Sequence, residues 1–281
     1  MTHGNILITG ASTGIGLACV RRFITEGYTV YGSVRKQSDA DRLAAEFGEA
    51  FQPMIFDVTD GVAIEQAAKS LTDLLDGQGL KLLINNAGVA VTGPAEILDV
   101  DAYRHQYEVN FFGLIAVTKA FLPLLGAQHN CPFNPGKIIN MSSIASKRAM
   151  PFMTPYSSSK AAVDSFTEGL RRELLIYGID AVTLNPGPIE TTIWEKIDPD
   201  MQAIEPTAYG KVLRRFMKLV DKESKNAIHP DDFANKVFKT YSSNKPKTTY
   251  VIIKNKFFKY TLLNLVPTRV IDGFVKKILK V

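Results

Sequence analysis

The chain has few cysteines: Cys19 and Cys131 are the only two in 281 residues, far apart and in no zinc-ligand spacing. That scarcity argues against a disulfide framework and a structural metal, and makes a reducing, cytoplasmic setting the expected one. No apolar run reaches the ~20 residues a membrane helix needs. Met1 leads into the apolar stretch at 5–9 without the basic start and long apolar region of a secretory signal. Charge of one sign is not in large surplus, since 33 Lys and Arg against 28 Asp and Glu leave +5. Such an excess favours anionic ligands, but no basic-aromatic cluster suggests a nucleic-acid surface. Repeats, low-complexity linkers and composition breaks are also missing, so nothing marks a second domain.

What is present is an ordinary 46% of hydrophobic residues, enough for a substantial core. Short β-rich runs at 5–9, 29–34, 51–57, 81–85, 137–142, 179–185 and 248–253 alternate with helical patterns. Those patterns cover 14–26, 39–47, 60–76, 101–125 and 156–177. Continuous apolar strands joined by helices imply a single-domain, doubly wound (Rossmann) α/β fold: a seven-stranded parallel sheet with helices on both faces. The long departure at 187–229 falls beyond the carboxyl end of the sixth strand, where such sheets bind ligands, and is expected to be a substrate loop. Residues 254–281 form a basic, amphipathic extension that carries much of the positive excess. Packing on the core with lysines outward is the first reading; contact with a membrane surface stays open.

Directly after the first strand comes TGASTGIG, Thr9 to Gly16, followed by a helical pattern. Strand, glycine turn and helix are the context of a phosphate-binding loop, because the helix N-terminus offers free N–H groups and the positive end of its dipole. Gly10 serves the turn, Gly14 lets the backbone approach phosphate, and Gly16 lets helix and strand pack. A second stretch, TPYSSSK, sets Tyr156 one helical turn before Lys160. The same spacing recurs at Tyr241 with Lys245 and at Tyr250 with Lys254. Tyr250 lies in a strand-like run, where four residues span ~13 Å, and Tyr241 precedes a turn signal ending in Pro246. Only Tyr156 opens a long helical pattern, and only it has a strand-end serine, Ser143, thirteen residues upstream. That spacing selects Ser143 over the adjacent Ser142.

The T-G-x-x-x-G-x-G spacing, NNAG at 85–88, DVTD at 57–60, Asn110, Ser143, Tyr156 with Lys160, and NPGPIET at 185–191 occur in one order. In this the chain resembles the short-chain dehydrogenase/reductase family from Asn5 to about Thr192. The resemblance implies hydride transfer between a nicotinamide cofactor and a carbonyl or alcohol, with no metal. It implies that Tyr156 exchanges the proton, that Ser143 hydrogen-bonds the substrate oxygen, and that Lys160 tunes the phenol and binds the nicotinamide ribose. Lowering a phenol from ~10 to ~7 requires about 4 kcal/mol, for which Lys160 and the oxidised nicotinamide are the expected sources. Asn110 would hold a water in a proton relay; a buried amide satisfied by backbone is the alternative.

For the cofactor, the resemblance implies contacts from Gly10, Ser12, Thr13, Gly14, Ile15 and Gly16. Asp57 and Val58 would flank the adenine, although Asp57 could instead be a helix cap. Asn86, Ala87 and Gly88 would line the cleft, and Pro186, Gly187, Ile189 and Thr191 would stand near the nicotinamide. At the end of the second strand Val34 takes the place of the acidic residue expected for NAD, and Arg35 and Lys36 follow. A carboxylate repels a 2′-phosphate and arginine grips it, so NADP(H) is expected over NAD(H). Met150, Phe152, Met153, Trp194, Met201, Tyr209, Phe216 and Met217 suggest a hydrophobic carbonyl or alcohol substrate such as a steroid or retinoid. The wider resemblance is to the hydroxysteroid and retinol dehydrogenase branch. A 3-oxoacyl thioester reductase using Arg171 and Arg172 and a silent dinucleotide sensor are the alternatives; the intact Asn110, Ser143, Tyr156 and Lys160 set argues against the sensor. The helices at 101–125 and 156–177 match those that pair between subunits in the family, implying a homodimer or homotetramer.

Overall fold

The computed structural model describes residues 3–191, 199–255, 260 and 265–281. Seven parallel strands form one sheet in the order β3-β2-β1-β4-β5-β6-β7. They are β1 (Asn5–Ile8), β2 (Thr29–Val34), β3 (Phe51–Ile55), β4 (Leu80–Asn85), β5 (Lys137–Met141), β6 (Asp180–Pro186) and β7 (Thr249–Ile252). Each lies within two residues of its expected bounds. Alternate side chains point to opposite faces, so Ile6 and Ile8 enter one core and Leu7 the other. The first core is covered by α1 (Gly14–Thr25), α2 (Gln37–Phe47) and α9 (Pro230–Tyr241), with Phe23 and Phe233 fully buried. The second is covered by α3 (Gly61–Leu75), α5 (Gly113–Phe121) and α6 (Thr154–Glu173). With both faces covered, the strands are rich in buried apolar residues, as a parallel sheet requires, with buried polar side chains such as Asn85 and Asn140 among them.

The continuous helix expected over 101–125 is broken. α4 (Val100–Tyr107) passes into a π-helical turn, Glu108–Phe112, before α5 begins. A π turn carries an extra residue and leaves the apolar spacing on either side helical, which is why the pattern looked unbroken. Buried amides pin these helices to the sheet: Asn85 donates from Nδ2 to Thr118 Oγ1 (2.9 Å) and to Asn140 Oδ1 (2.8 Å), and Asn140 donates to Thr167 Oγ1 (2.9 Å). These bonds join the centre of the sheet to α5 and α6, so the residues those helices carry are fixed relative to the strand ends.

Between β6 and β7 lie α7 (Met201–Ile204), α8 (Gly210–Ser224) and α9. The last described helix is α10 (Thr268–Leu279), which packs on α8. Phe152, Met153, Ile204, Leu213, Phe216 and Leu279 form a third, smaller core at this end.

Candidate functional site

All strands run the same way, so the segments after β1, β4, β5 and β6 meet at one edge of the sheet. They border a cavity of about 1730 Å³. On its floor the glycine loop is held by side chains from three strand ends. Thr9 Oγ1 accepts from the N–H groups of Asn86 (2.9 Å) and Ala87 (3.0 Å), Asn86 Nδ2 donates to the carbonyls of Thr9 (2.9 Å) and Gly10 (3.2 Å), and Gly10 N–H donates to Ser33 Oγ (3.1 Å). Gly16 must be glycine, since a Cβ there would stand 2.1 Å from the Gly10 carbonyl oxygen. Gly14 has φ +55°, and a Cβ would press to 3.0 Å from Thr191 Cγ2.

Thr13 precedes α1 without a side-chain cap bond, and the first turn of that helix carries no acidic residue. Its N–H groups therefore face the cavity with no competing carboxylate, the electrostatics a pyrophosphate requires. Gly10, Ser12, Thr13, Gly14 and Ile15 line the cavity, as do Asn86, Ala87, Gly88, Pro186, Gly187, Ile189 and Thr191. Gly16 lies behind the loop and Lys36 lies off the lining. The cradle fits a dinucleotide.

At the end of β2, Arg35 lines the cavity with its side chain 68% exposed, its Nη1 3.8 Å from Asp57 Oδ2. Asp57 and Val58 line the same end. Burial pushes the Asp57 carboxyl up, but hydrogen bonds from Thr59 and the Arg35 charge outweigh it and hold the group below its usual value. The cap of α3 is Asp60, which accepts from Ala63 N–H at 3.0 Å; Asp57 instead closes the turn before it through Thr59 N–H (2.9 Å) and Oγ1 (2.8 Å).

At the far wall Tyr156 sits in the first turn of α6, with Lys160 one turn on. Ser143 stands beside the Tyr156 phenol, where it favours the phenolate, and its hydroxyl accepts from Ala145 N–H at 3.1 Å. Ser142 donates from Oγ to the Lys160 carbonyl at 3.0 Å, so its hydroxyl is committed to the helix. Lys160 is buried; its Nζ donates to the Met141 carbonyl at 2.8 Å and lies 5.8 Å from the centre of the Tyr156 ring. Burial lowers the Lys160 ammonium to about 8, opposed by Asp164 one turn further along. Asp164 accepts from Ser146 Oγ at 2.7 Å and pairs with Lys147 at 2.9 Å.

The expected lowering of the phenol is not a property of the protein alone. Burial holds Tyr156 above its ordinary value, with the Ser143 side chain acting against it. Desolvation disfavours phenolate more than its neighbours favour it.

Asn110 is buried in the π-helical turn. Its Oδ1 accepts from Val89 N–H (2.8 Å), and its Nδ2 donates to the Val89 carbonyl (3.0 Å) and Ser159 Oγ (3.3 Å). The side chain thus makes the backbone-satisfying contacts of a buried amide and stays off the cavity lining. The rival tyrosines separate cleanly. Tyr250 is in β7 and accepts from Lys247 N–H at 2.9 Å. Tyr241 ends α9 and packs against Phe23, Tyr28 and Phe238, where burial raises its phenol.

Of the expected pocket residues, Met150, Met153 and Phe216 line the cavity; Phe152, Met201, Tyr209 and Met217 pack in or against the third core, and Trp194 lies outside the described residues. Leu219 and Val220 of α8 join the lining from within the expected substrate segment 187–229, and the lining that sequence reasoning missed comes from α10: Ile271 and Val275. Thr9 and Ser33, which brace the loop, were missed too, though each stands at a strand end beside a glycine. Arg171 and Arg172 are away from the cavity, and Arg172 pairs with Glu168. Among the described residues no cluster of three or more His, Cys, Asp or Glu could hold a metal, and no helix is long and apolar enough to cross a membrane.

Comparison with known proteins finds the family described as short chain dehydrogenase matching residues 4–202. An NADPH-dependent 3-dehydrocapnine reductase of Ornithobacterium rhinotracheale is 37% identical over 274 residues, covering 98% of this chain and 96% of that protein. A 3-ketodihydrosphingosine reductase of Bacteroides thetaiotaomicron is 30% identical over 242 residues, covering 86% and 84%. Among solved structures, the closed form of a serine dehydrogenase complexed with NADP+ superposes with a TM-score of 0.72 at 25% identity, covering 89% of this chain and 94% of that one.

Proposed function

The chain belongs to the short chain dehydrogenase family of NAD(P)-binding oxidoreductases, and on that premise we propose that it is an NADP(H)-dependent reductase of hydrophobic carbonyl compounds. The observation that carries the reading is the joining of the Ser143 hydroxyl, the Tyr156 phenol and the buried Lys160 ammonium on one wall of the cavity the glycine loop enters. The cofactor, when bound, supplies the hydride. Tyr156 donates the proton that the carbonyl oxygen needs, and Ser143 orients that oxygen by hydrogen bonding. Lys160 places its positive charge beside the phenol and stabilises the phenolate left behind. A phenol held protonated by burial is in the form a proton donor needs. Asn110 acts by fixing Val89 at the cavity wall.

Arg35 is the proposed contact for the 2′-phosphate. Its pair with Asp57 is long and exposed, of a kind worth ~0–1 kcal/mol, so a phosphate dianion can compete for it. The relatives named for NADPH and NADP+ agree with this choice. For the substrate, Met153, Phe216, Leu219, Val220, Ile271 and Val275 give the outer cavity an apolar wall. The names of the two reductases point to a 3-oxo group near the head of a long-chain molecule. We take the fold as one unit in which α8 and α10 complete the substrate end. Subunit pairing is assigned to the faces bearing Phe112, Leu175 and Ile176, large apolar side chains left exposed.

A panel of long-chain 3-oxo compounds, steroids, retinal and acyl thioesters, run with NADPH and NADH, tests the assignment. Turnover of the long-chain ketones with NADPH bound more tightly than NADH is expected. Equal Kd values, or turnover confined to acyl thioesters, would overturn it.

A further inference from the structure

The molecule's positive charge is concentrated in its last segment. Residues 254–281 hold seven Lys and Arg and one Asp, 7 − 1 = +6, so the preceding residues carry 5 − 6 = −1. Within this segment α10 has two apolar faces. Ile271 and Val275 line the cavity and Leu279 is buried, which accounts for the inner face. Val270, Phe274 and Ile278 are 48, 57 and 55% exposed. At ~100° per residue these three fall within an arc of ~80° on the outer side, Lys277 and Arg269 follow along one flank, and Lys280 caps the helix in the left-handed conformation. Packing on the core therefore uses only half of what the helix offers.

We propose that the outer face of α10 docks the protein on an anionic lipid surface, with the apolar arc in the headgroup boundary and the flanking cations against lipid phosphates. A second copy of the chain is the poorer occupant, because self-association through this face would bring two +6 segments together. An apolar arc with basic residues beside it is the pattern of a helix lying in a membrane interface. Because the same helix walls the cavity, docking would set the substrate end at the bilayer; that consequence, unlike the docking, rests on the hydrophobic-substrate reading above.

Sedimentation of the full chain with vesicles of phosphatidylcholine, with and without phosphatidylserine, measures docking whatever the substrate. Binding to the phosphatidylserine vesicles is expected, weakened at least about tenfold by Lys277→Glu with Lys280→Glu or by Phe274→Ser with Ile278→Ser. NADPH oxidation with a small water-soluble carbonyl should be the same in all three proteins, which shows that the variants fold. Equal sedimentation of variants and wild type, or no sedimentation of either, would overturn the proposal. So would a lipid-free dimer that the Phe274→Ser, Ile278→Ser variant abolishes. Failure of the soluble carbonyl alone would count against the proposed reaction and leave the docking result standing.

Discussion

At the residue scale, Lys160 is placed at a thermodynamic cost. Its ammonium is lowered from the ordinary 10.5 to about 8, so the folded protein binds this proton more weakly than the unfolded chain. The sign follows from linkage: the penalty is full below pH 8 and is relieved as pH rises from about 8 to 10.5. Two and a half pH units correspond to ~3 kcal/mol, reduced by the lost bond to Met141 when the side chain is replaced. Lys160→Met should therefore raise unfolding free energy near pH 7 by ~1–2 kcal/mol, with the gain shrinking towards pH 10, while turnover is lost. Urea unfolding at the two pH values measures it. That Tyr156, Lys160 and Ser143 lie together was legible from spacing and helical setting. The direction of the Tyr156 phenol could not, because it depends on burial by segments distant in sequence.

At the scale of elements, the glycine loop and α6 make opposite predictions for the same substitution. A methyl at Gly16 meets the Gly10 carbonyl at 2.1 Å and Asn86 Nδ2 at 2.7 Å, whereas Gly169, inside α6, has nothing within 4 Å. Gly16→Ala should cost ~1–3 kcal/mol and weaken NADPH binding, because the loop has to shift. Gly169→Ala should stabilise by ~0.5–1 kcal/mol and leave Kd unchanged. Thermal unfolding and cofactor titration of the two variants check this pair. The strands, α1 and the glycine loop were legible because each is specified by residues adjacent in the chain. The π-helical turn at Glu108–Phe112 was hidden by the unbroken apolar pattern around it, and Asn110's partners at Val89 by their distance of 21 residues.

For the molecule as a whole, a parallel sheet gathers its strand ends at one edge, so the residues proposed for the cofactor and for catalysis share a cavity by topology. The substrate end is different: α8 reaches it from the expected segment after β6, but α10 joins it from beyond β7, and no periodicity in the sequence announces that meeting. Exposed Phe112, Leu175 and Ile176 are the proposed pairing face. If the protein pairs as proposed, Phe112→Glu with Ile176→Glu should convert the dimer or tetramer of wild type to monomer in light scattering; a monomeric wild type or an unchanged mass would exclude that face. The central claim concerns a single proton donor. The most direct measurement is NADPH oxidation by Tyr156→Phe against wild type on the same long-chain ketone, with cofactor Kd measured in parallel. The account predicts that the variant binds NADPH as wild type does and loses turnover by at least ~10²-fold; turnover within a few-fold of wild type would contradict it.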